Sequence, residues 1–281
     1  QRFDFHRIPP KAIADRVEYV VSQENAGTLF HTVIGMDPQI AMYLAAVVIV
    51  GYTFLGGFSA VCWTDFFQGM LVLGSMFIAP IFAAFMLDTS SMSSLPGGYL
   101  NPFSSWQDIV SGLAWGLGYF GMPHIIIRFM SIKSQKDLKK SAKIGITWTL
   151  LIVFFATLIG VIGRLFLGFD ESINENSLVF IQIVRKIFPG VISGILLSAV
   201  LAASMSTADS QLLAASSAFS SDVYKPVIRK GKASDKEMMW TGRIVVLGIA
   251  VAALIIASNP NAGSIMALVS NAWGIFGAAF G

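Results

Sequence analysis

Gly194-Ile195-Leu196-Leu197-Ser198-Ala199-Val200-Leu201-Ala202-Ala203-Ser204-Met205-Ser206-Thr207-Ala208-Asp209-Ser210-Gln211 opens an apolar run that continues to Phe219. The run is long enough to cross a bilayer, yet its middle carries a carboxylate and several hydroxyls. An ionised group at bilayer depth costs roughly 2.5–3.5 kcal/mol even on the most lenient insertion scale, so such a cluster faces a partner, a cavity or an ion. It reads as a site for a small cation.

The rest of the chain agrees with a membrane setting. Of its 281 residues 55% are apolar and 12% charged, with mild basicity from 19 Lys and Arg against 16 Asp and Glu. Soluble domains carry about 25% charged residues. Cys62, the single cysteine, excludes an internal disulfide and a thiolate metal cluster. Residues 1–10 lack the apolar core of a signal peptide, and the missing initiator Met together with an apolar end at Gly281 reads as a fragment.

A spanning helix needs about 20 predominantly apolar residues. Candidates are 40–60, 66–87, 109–127, 144–167, 191–219 and 244–257, with a shortened last one at 265–281. Residues 128–143 and 220–243 hold twelve of the nineteen positive charges and are separated by two candidate spans, so they share a face. The positive-inside rule assigns that face to the cytoplasm. Residues 168–189 then fall outside and contain an amphipathic stretch at 177–187. Residues 1–38 are more polar, and 17–34 reads as either a helix buried among others or a surface segment.

At 3.6 residues per turn Ala203, Ser206, Thr207 and Ser210 share one helix face, with Asp209 around from Ala203. Hydroxyls and a freed carbonyl offer the hard oxygens that suit sodium. Serine and threonine also bond back to the preceding turn in membrane helices, and both readings stand. Asp65 follows Gly56-Gly57 and Trp63-Thr64. It reads either as an ion-linked carboxylate or as the N-cap of a helix starting at Phe66.

Glycines 112, 116, 118 and 121 with Pro123 predict an interrupted helix, which membrane proteins tolerate where backbone lines a cavity or is buried. Trp115 and Tyr119, four apart, present two large surfaces to a small organic solute or to an interfacial belt. Arg128, four residues after His124, reads as a solvated helix end; His6 and His31 have no partner at ligand spacing.

Gly56-Gly57 with Trp63-Thr64-Asp65-Phe66-Phe67-Gln68, then Trp115 to His124, then Gly194 to Ala203 running into Met205-Ser206-Thr207, then Ser270-Asn271-Ala272-Trp273 and Phe276 to Gly281 resemble the sodium/solute symporter family, above all its proline-carrying branch. The resemblance runs from about Asp37 to Gly281. It implies an all-α integral membrane protein, part of a LeuT-like five-plus-five inverted-repeat bundle. A polar segment at 1–38 would precede a transporter core at 39–281, with further helices before and after this chain.

By that resemblance Ala203, Ser206 and Thr207 match positions holding the coupling sodium. Asp65, Asp209 and Ser210 match positions linked to sodium binding or a second sodium. Trp115, Tyr119 and Pro123 match a helix that contacts proline. The implied activity is sodium-coupled symport of a small solute, proline first, with other small amino acids or carboxylates beside it. The implied setting is the plasma membrane, with lipid and the missing helices as partners and no nucleic acid. Two other classes are a solute-sensing module of a signalling protein and an intramembrane aspartyl protease using Asp65 and Asp209. The protease's Tyr-Asp and Gly-x-Gly-Asp signatures are absent around both residues.

Overall fold

In a computed structural model of the chain, the described residues are 33, 35–87, 101, 103, 105–118, 122–167, 178–258 and 265–280. The expectations for residues 1–32, for Tyr119 and for the stretch 168–177 lie outside them. The elements are helices: α1 Pro38–Phe85, α2 Trp106–Gly118, α3 Pro123–Met130, α4 Gln135–Leu167, α5 Val179–Ile187, α6 Gly190–Ala218, α7 Asp235–Ala257 and α8 Ile265–Phe280. A π-helical segment, Phe219–Ile228, continues α6.

The opening of α1 follows from local chemistry. Asp37 accepts from the amides of Gln39 and Ile40 at 2.9 and 3.2 Å, and Pro38 occupies the first turn. The first satisfies amides that a helix start leaves unpaired, and the proline has no N–H to leave unpaired. At 1.5 Å per residue, 48 residues would extend about 72 Å, more than twice a bilayer's ~30 Å hydrocarbon core. The helix instead breaks at Gly57, where φ is 61° and ψ is −161°, a combination essentially reserved for glycine.

The pairings on either side of Gly57 show the chain turning back. Tyr43 meets Ser258 at 2.8 Å and the Leu55 carbonyl meets Arg243 at 3.4 Å, so the first limb runs against α7. Asp65 meets Ser210 at 3.2 Å and the Phe82 ring lies 5.3 Å from that of Phe188, so the second limb runs against α6. The separate spans expected at 40–60 and 66–87 are therefore two limbs joined by one non-helical glycine. Asp65 lies within the second limb, which removes the N-cap reading.

Helix boundaries also extend into the basic stretches. Ser134 accepts from the Asp137 amide at 3.2 Å and starts α4 at Gln135. Ser234 and Glu237 exchange side-chain and backbone bonds in a capping box that starts α7 at Asp235. Expected as loops, 128–143 and 220–243 are largely helical because these caps stand well outside the apolar runs. The interruption predicted around Pro123 is seen at Met122, which is non-helical immediately before α3 begins.

Among the described residues, four helices are long and apolar enough to cross a membrane: Gln39–Phe85, Gln135–Leu167, Gly190–Ile228 and Asp235–Ala257. Their outward faces carry large apolar side chains such as Val47, Leu55, Leu150 and Ile255, the surface a lipid solvent accepts. The tightest core joins α1, α4, α5 and α6 through Ala79, Ala83, Ile159, Ile181, Ile183, Val184, Leu196 and Leu197. The amphipathic stretch expected at 177–187 is α5, with Ile181, Ile183 and Val184 buried.

Candidate functional site

Two carboxylates meet at the middle of the bundle. Asp209, on α6, is fully buried, and the Tyr52 hydroxyl from the first limb of α1 donates to its Oδ2 at 2.6 Å. The Ser210 hydroxyl lies 3.3 Å from Asp209 Oδ1 and 3.2 Å from Asp65 Oδ2, on the second limb of α1. Arg128, in the last turn of α3, ion-pairs with Asp65 Oδ2 and donates to Ser210 Oγ at 2.5 Å. Ser210 thus bridges the two acids, and the turn at Gly57 brings Tyr52 and Asp65 to neighbouring residues of one helix.

Helical spacing grouped Ser210 with Ser206 and Thr207 and set Asp209 apart. The structure divides the face differently, with Ser210 joined to Asp209 and Asp65. The Ser206 and Thr207 hydroxyls both donate to the Ala203 carbonyl at 3.1 Å. The three groups therefore converge on one point, in the back-bonded arrangement that also occurs in membrane helices without a ligand. Ser206 and Thr207 bond to Ala203 while Ser210 bonds to Asp209 and Asp65, so the two oxygen clusters follow each other along α6 with different partners.

A hard monovalent cation fits both clusters by donor type. The acidic one has a further property. Asp65 Oδ1 is buried with no hydrogen-bond partner among the described residues. With both carboxyls ionised, Asp65, Asp209 and Arg128 sum to a single negative charge, so one added monovalent cation balances them.

Tyr52 and Arg128 were missed by the sequence. Tyr52 is one aromatic among many in an apolar run, though a phenol in a membrane span needs a partner for its hydroxyl. Arg128 reads as solvated because it borders a basic stretch, whereas its guanidinium turns inward to Asp65. For Arg128 the available signal was complementarity: it lies at the margin of a span and carries the charge opposite to that of the two acids.

Trp115 packs its ring 5.7 Å from that of Trp273 on α8, and its carbonyl accepts the Trp273 indole N–H at 3.2 Å. Pro123 begins α3. Tyr119 lies outside the described residues.

Beside Arg128 and Ser210 opens a cavity of about 580 Å³. The turn of α1, the end of α6 and the start of α7 line it, through residues that include Gly57, Cys62, Ser217, Ser220 and Arg243. Arg243 stacks over Phe54 at 5.6 Å and Trp240 at 5.2 Å.

A model of the sodium:solute symporter family matches residues 17–281. The high-affinity proline transporter PutP of Bacillus subtilis (strain 168) is 41% identical over 265 residues, which is 92% of this chain and 56% of that protein. The osmoregulated proline transporter OpuE of the same strain is 41% identical, over 92% of this chain and 54% of its own length. A sodium/proline symporter of Staphylococcus aureus is 41% identical over 266 residues, 91% of this chain and 52% of that protein. The chain thus spans about half the length of the curated relatives it matches. A substrate-bound, outward-open structure of a Na+-coupled sialic acid symporter superposes with a TM-score of 0.76 at 19% identity, covering 96% of this chain and 60% of that one.

Proposed function

Because the chain belongs to the sodium:solute symporter family, we propose that it forms the central part of a sodium-coupled symporter carrying a small organic solute, with proline the first candidate. The proline transporters among its relatives support the solute. The junction of Asp65, Asp209 and Ser210 carries the sodium part of the reading. Two acids placed between apolar helices, with one half-exposed guanidinium beside them, are costly to bury without a cation to balance them.

Sodium takes two places in this proposal. Ala203 offers its carbonyl, and Ser206 and Thr207 their hydroxyls, once those hydroxyls rotate away from back-bonding. Asp65, Asp209 and Ser210 offer carboxylate and hydroxyl oxygens within about one turn along α6. Trp115, Tyr119 and Pro123 are assigned to the solute by the family resemblance, with the glycine-rich sequence before Pro123 suited to a helix interruption that frees backbone groups. Helices outside residues 39–281 complete both sites.

Coupling requires that sodium and solute favour the same conformation, which makes their effects on each other's affinity reciprocal. Sodium screening Asp65 and Asp209 would stabilise the packing of α1 on α6 and let the solute site form. Loss of sodium to the cytoplasm would reverse this. The plasma membrane is the proposed location, with 128–143 and 220–243 on its cytoplasmic face and lipid around the apolar exterior.

Uptake of labelled proline into proteoliposomes holding the full-length protein tests the proposal. Accumulation that follows an inward sodium gradient is expected. Equal uptake with potassium replacing sodium would remove the sodium reading, and sodium-driven uptake of another amino acid or a carboxylate in place of proline would correct the solute.

A further inference from the structure

Arg128 is the feature that the proposed transport cycle leaves unused. Its guanidinium contacts Asp65 Oδ2 and Ser210 Oγ, two of the oxygens offered to a cation at the acidic junction. It therefore sits where a second positive charge would have to approach. We propose that Arg128 is a tethered cation that competes with the transported sodium for Asp65 and Ser210, weakening sodium there and promoting its release. The inference rests on the sodium reading of that junction.

Two observations support competition over simple anchoring. The Asp65 side chain is 12% exposed while that of Arg128 is 51% exposed, so the acid is fixed in the bundle and the base approaches it from an open side. That side is the 580 Å³ cavity, which touches both Arg128 and Ser210 and gives the guanidinium room to withdraw. The bridging contact also uses acceptors on two different helices, α1 and α6, while Arg128 itself belongs to the eight-residue α3. Both contacts come from one terminal nitrogen of the guanidinium, Nη2, so a single end of the side chain holds both acceptors and releases both when it withdraws.

The positive head of Arg128 and a bound sodium then draw on the same Asp65 carboxylate and Ser210 hydroxyl, and each lowers the other's occupancy. Asp65 keeps a compensating charge when sodium leaves, so an empty junction is not left with two unpaired acids. Nothing covalent changes in this exchange.

Equilibrium binding of radiolabelled sodium to the purified full-length protein tests the competition without relying on transport. Charge-assisted hydrogen bonds are the stronger class, so Arg128→Gln is expected to lower the half-saturating sodium concentration by roughly tenfold. Arg128→Lys should lower it by a smaller factor, about threefold, because the charge stays while the ammonium ends a shorter side chain and is more strongly hydrated. In the Asp65→Asn background the added Arg128→Gln should give no tightening.

Unchanged or weaker sodium binding in both Arg128 variants, with the unmodified protein still binding sodium, would overturn the competition and mark Arg128 as an anchor of α3. Absence of sodium binding in the unmodified protein would instead remove the sodium reading on which the inference rests. If Arg128→Gln does not fold, Arg128→Lys decides alone by the direction of its shift.

Discussion

The Tyr52 hydroxyl donates to Asp209 Oδ2 at 2.6 Å, joining the first limb of α1 to the centre of α6 across 157 positions of sequence. The bond holds a fully buried carboxylate in place. Removing one partner of a buried hydrogen bond leaves the other desolvated and unpaired. Tyr52→Phe is therefore expected to destabilise the full-length protein by about 1–3 kcal/mol. Thermal unfolding in detergent measures this, and the sodium concentration for half-maximal uptake should rise with it. A melting temperature and sodium dependence both equal to the parent's would show that the phenol does not hold Asp209.

The turn of α1 makes a second demand on the sequence. Gly57 has backbone angles that L side chains avoid, and a Cβ on Gly56 would lie 2.3 Å from Ala60 Cβ. Gly57→Ala is expected to cost about 1–3 kcal/mol through backbone strain. Gly56→Ala should destabilise through the contact with Ala60. Because the turn sets Tyr52 and Asp65 against adjacent residues, both variants should also weaken sodium dependence. Full stability in Gly57→Ala would mean that the limbs are set by packing alone.

Much of this architecture is legible in the chain. The apolar runs mark the spans, Gly56-Gly57 marks the turn, and the glycines with Pro123 mark the break before α3. Helix starts at Gln135 and Asp235 are not marked by hydropathy, because Ser134 and Ser234 cap them outside the apolar runs. The acids Asp65 and Asp209 stand out because charge is rare in a span. Their partners do not: Tyr52 is one aromatic among apolar neighbours, and Arg128 borders a run of lysines. A period of 3.6 residues reports which side chains share a face, and it cannot report that Ser210 turns toward Asp209 and away from Thr207. That choice belongs to the packing of α6 against both limbs of α1.

Close packing between α4 and α5 gives a third test. A Cβ on Gly163 would lie 2.4 Å from Val179 Cγ1 and 2.8 Å from Ile183 Cδ1. Ile183 is fully buried and valine is stiff at χ1, so neither can move away cheaply. Gly163→Ala should destabilise by about 1–3 kcal/mol, the usual range for overpacking a core. Adding Val179→Ala should restore part of the loss, visible as a non-additive double-mutant cycle in thermal unfolding. Strict additivity would place the two residues out of contact.

Ser206 and Thr207 separate two roles for one geometry. Both hydroxyls donate to the Ala203 carbonyl at 3.1 Å, and that bond alone gives them a structural purpose within the helix. A back-bonded hydroxyl contributes little to a membrane helix, so Ser206→Ala and Thr207→Ala should change unfolding by no more than about 0.6 kcal/mol. If the same oxygens hold sodium, each loss removes a ligand from a site with few. The sodium concentration for half-maximal uptake should then rise by roughly tenfold, the consequence of about 1.4 kcal/mol of lost binding. Sodium dependence measured in the full-length protein, beside its thermal unfolding, distinguishes the cases. Unchanged sodium dependence in both variants would sink the assignment of Ala203, Ser206 and Thr207. The acidic junction would then be the remaining candidate, since Asp65 and Asp209 do not rely on these hydroxyls.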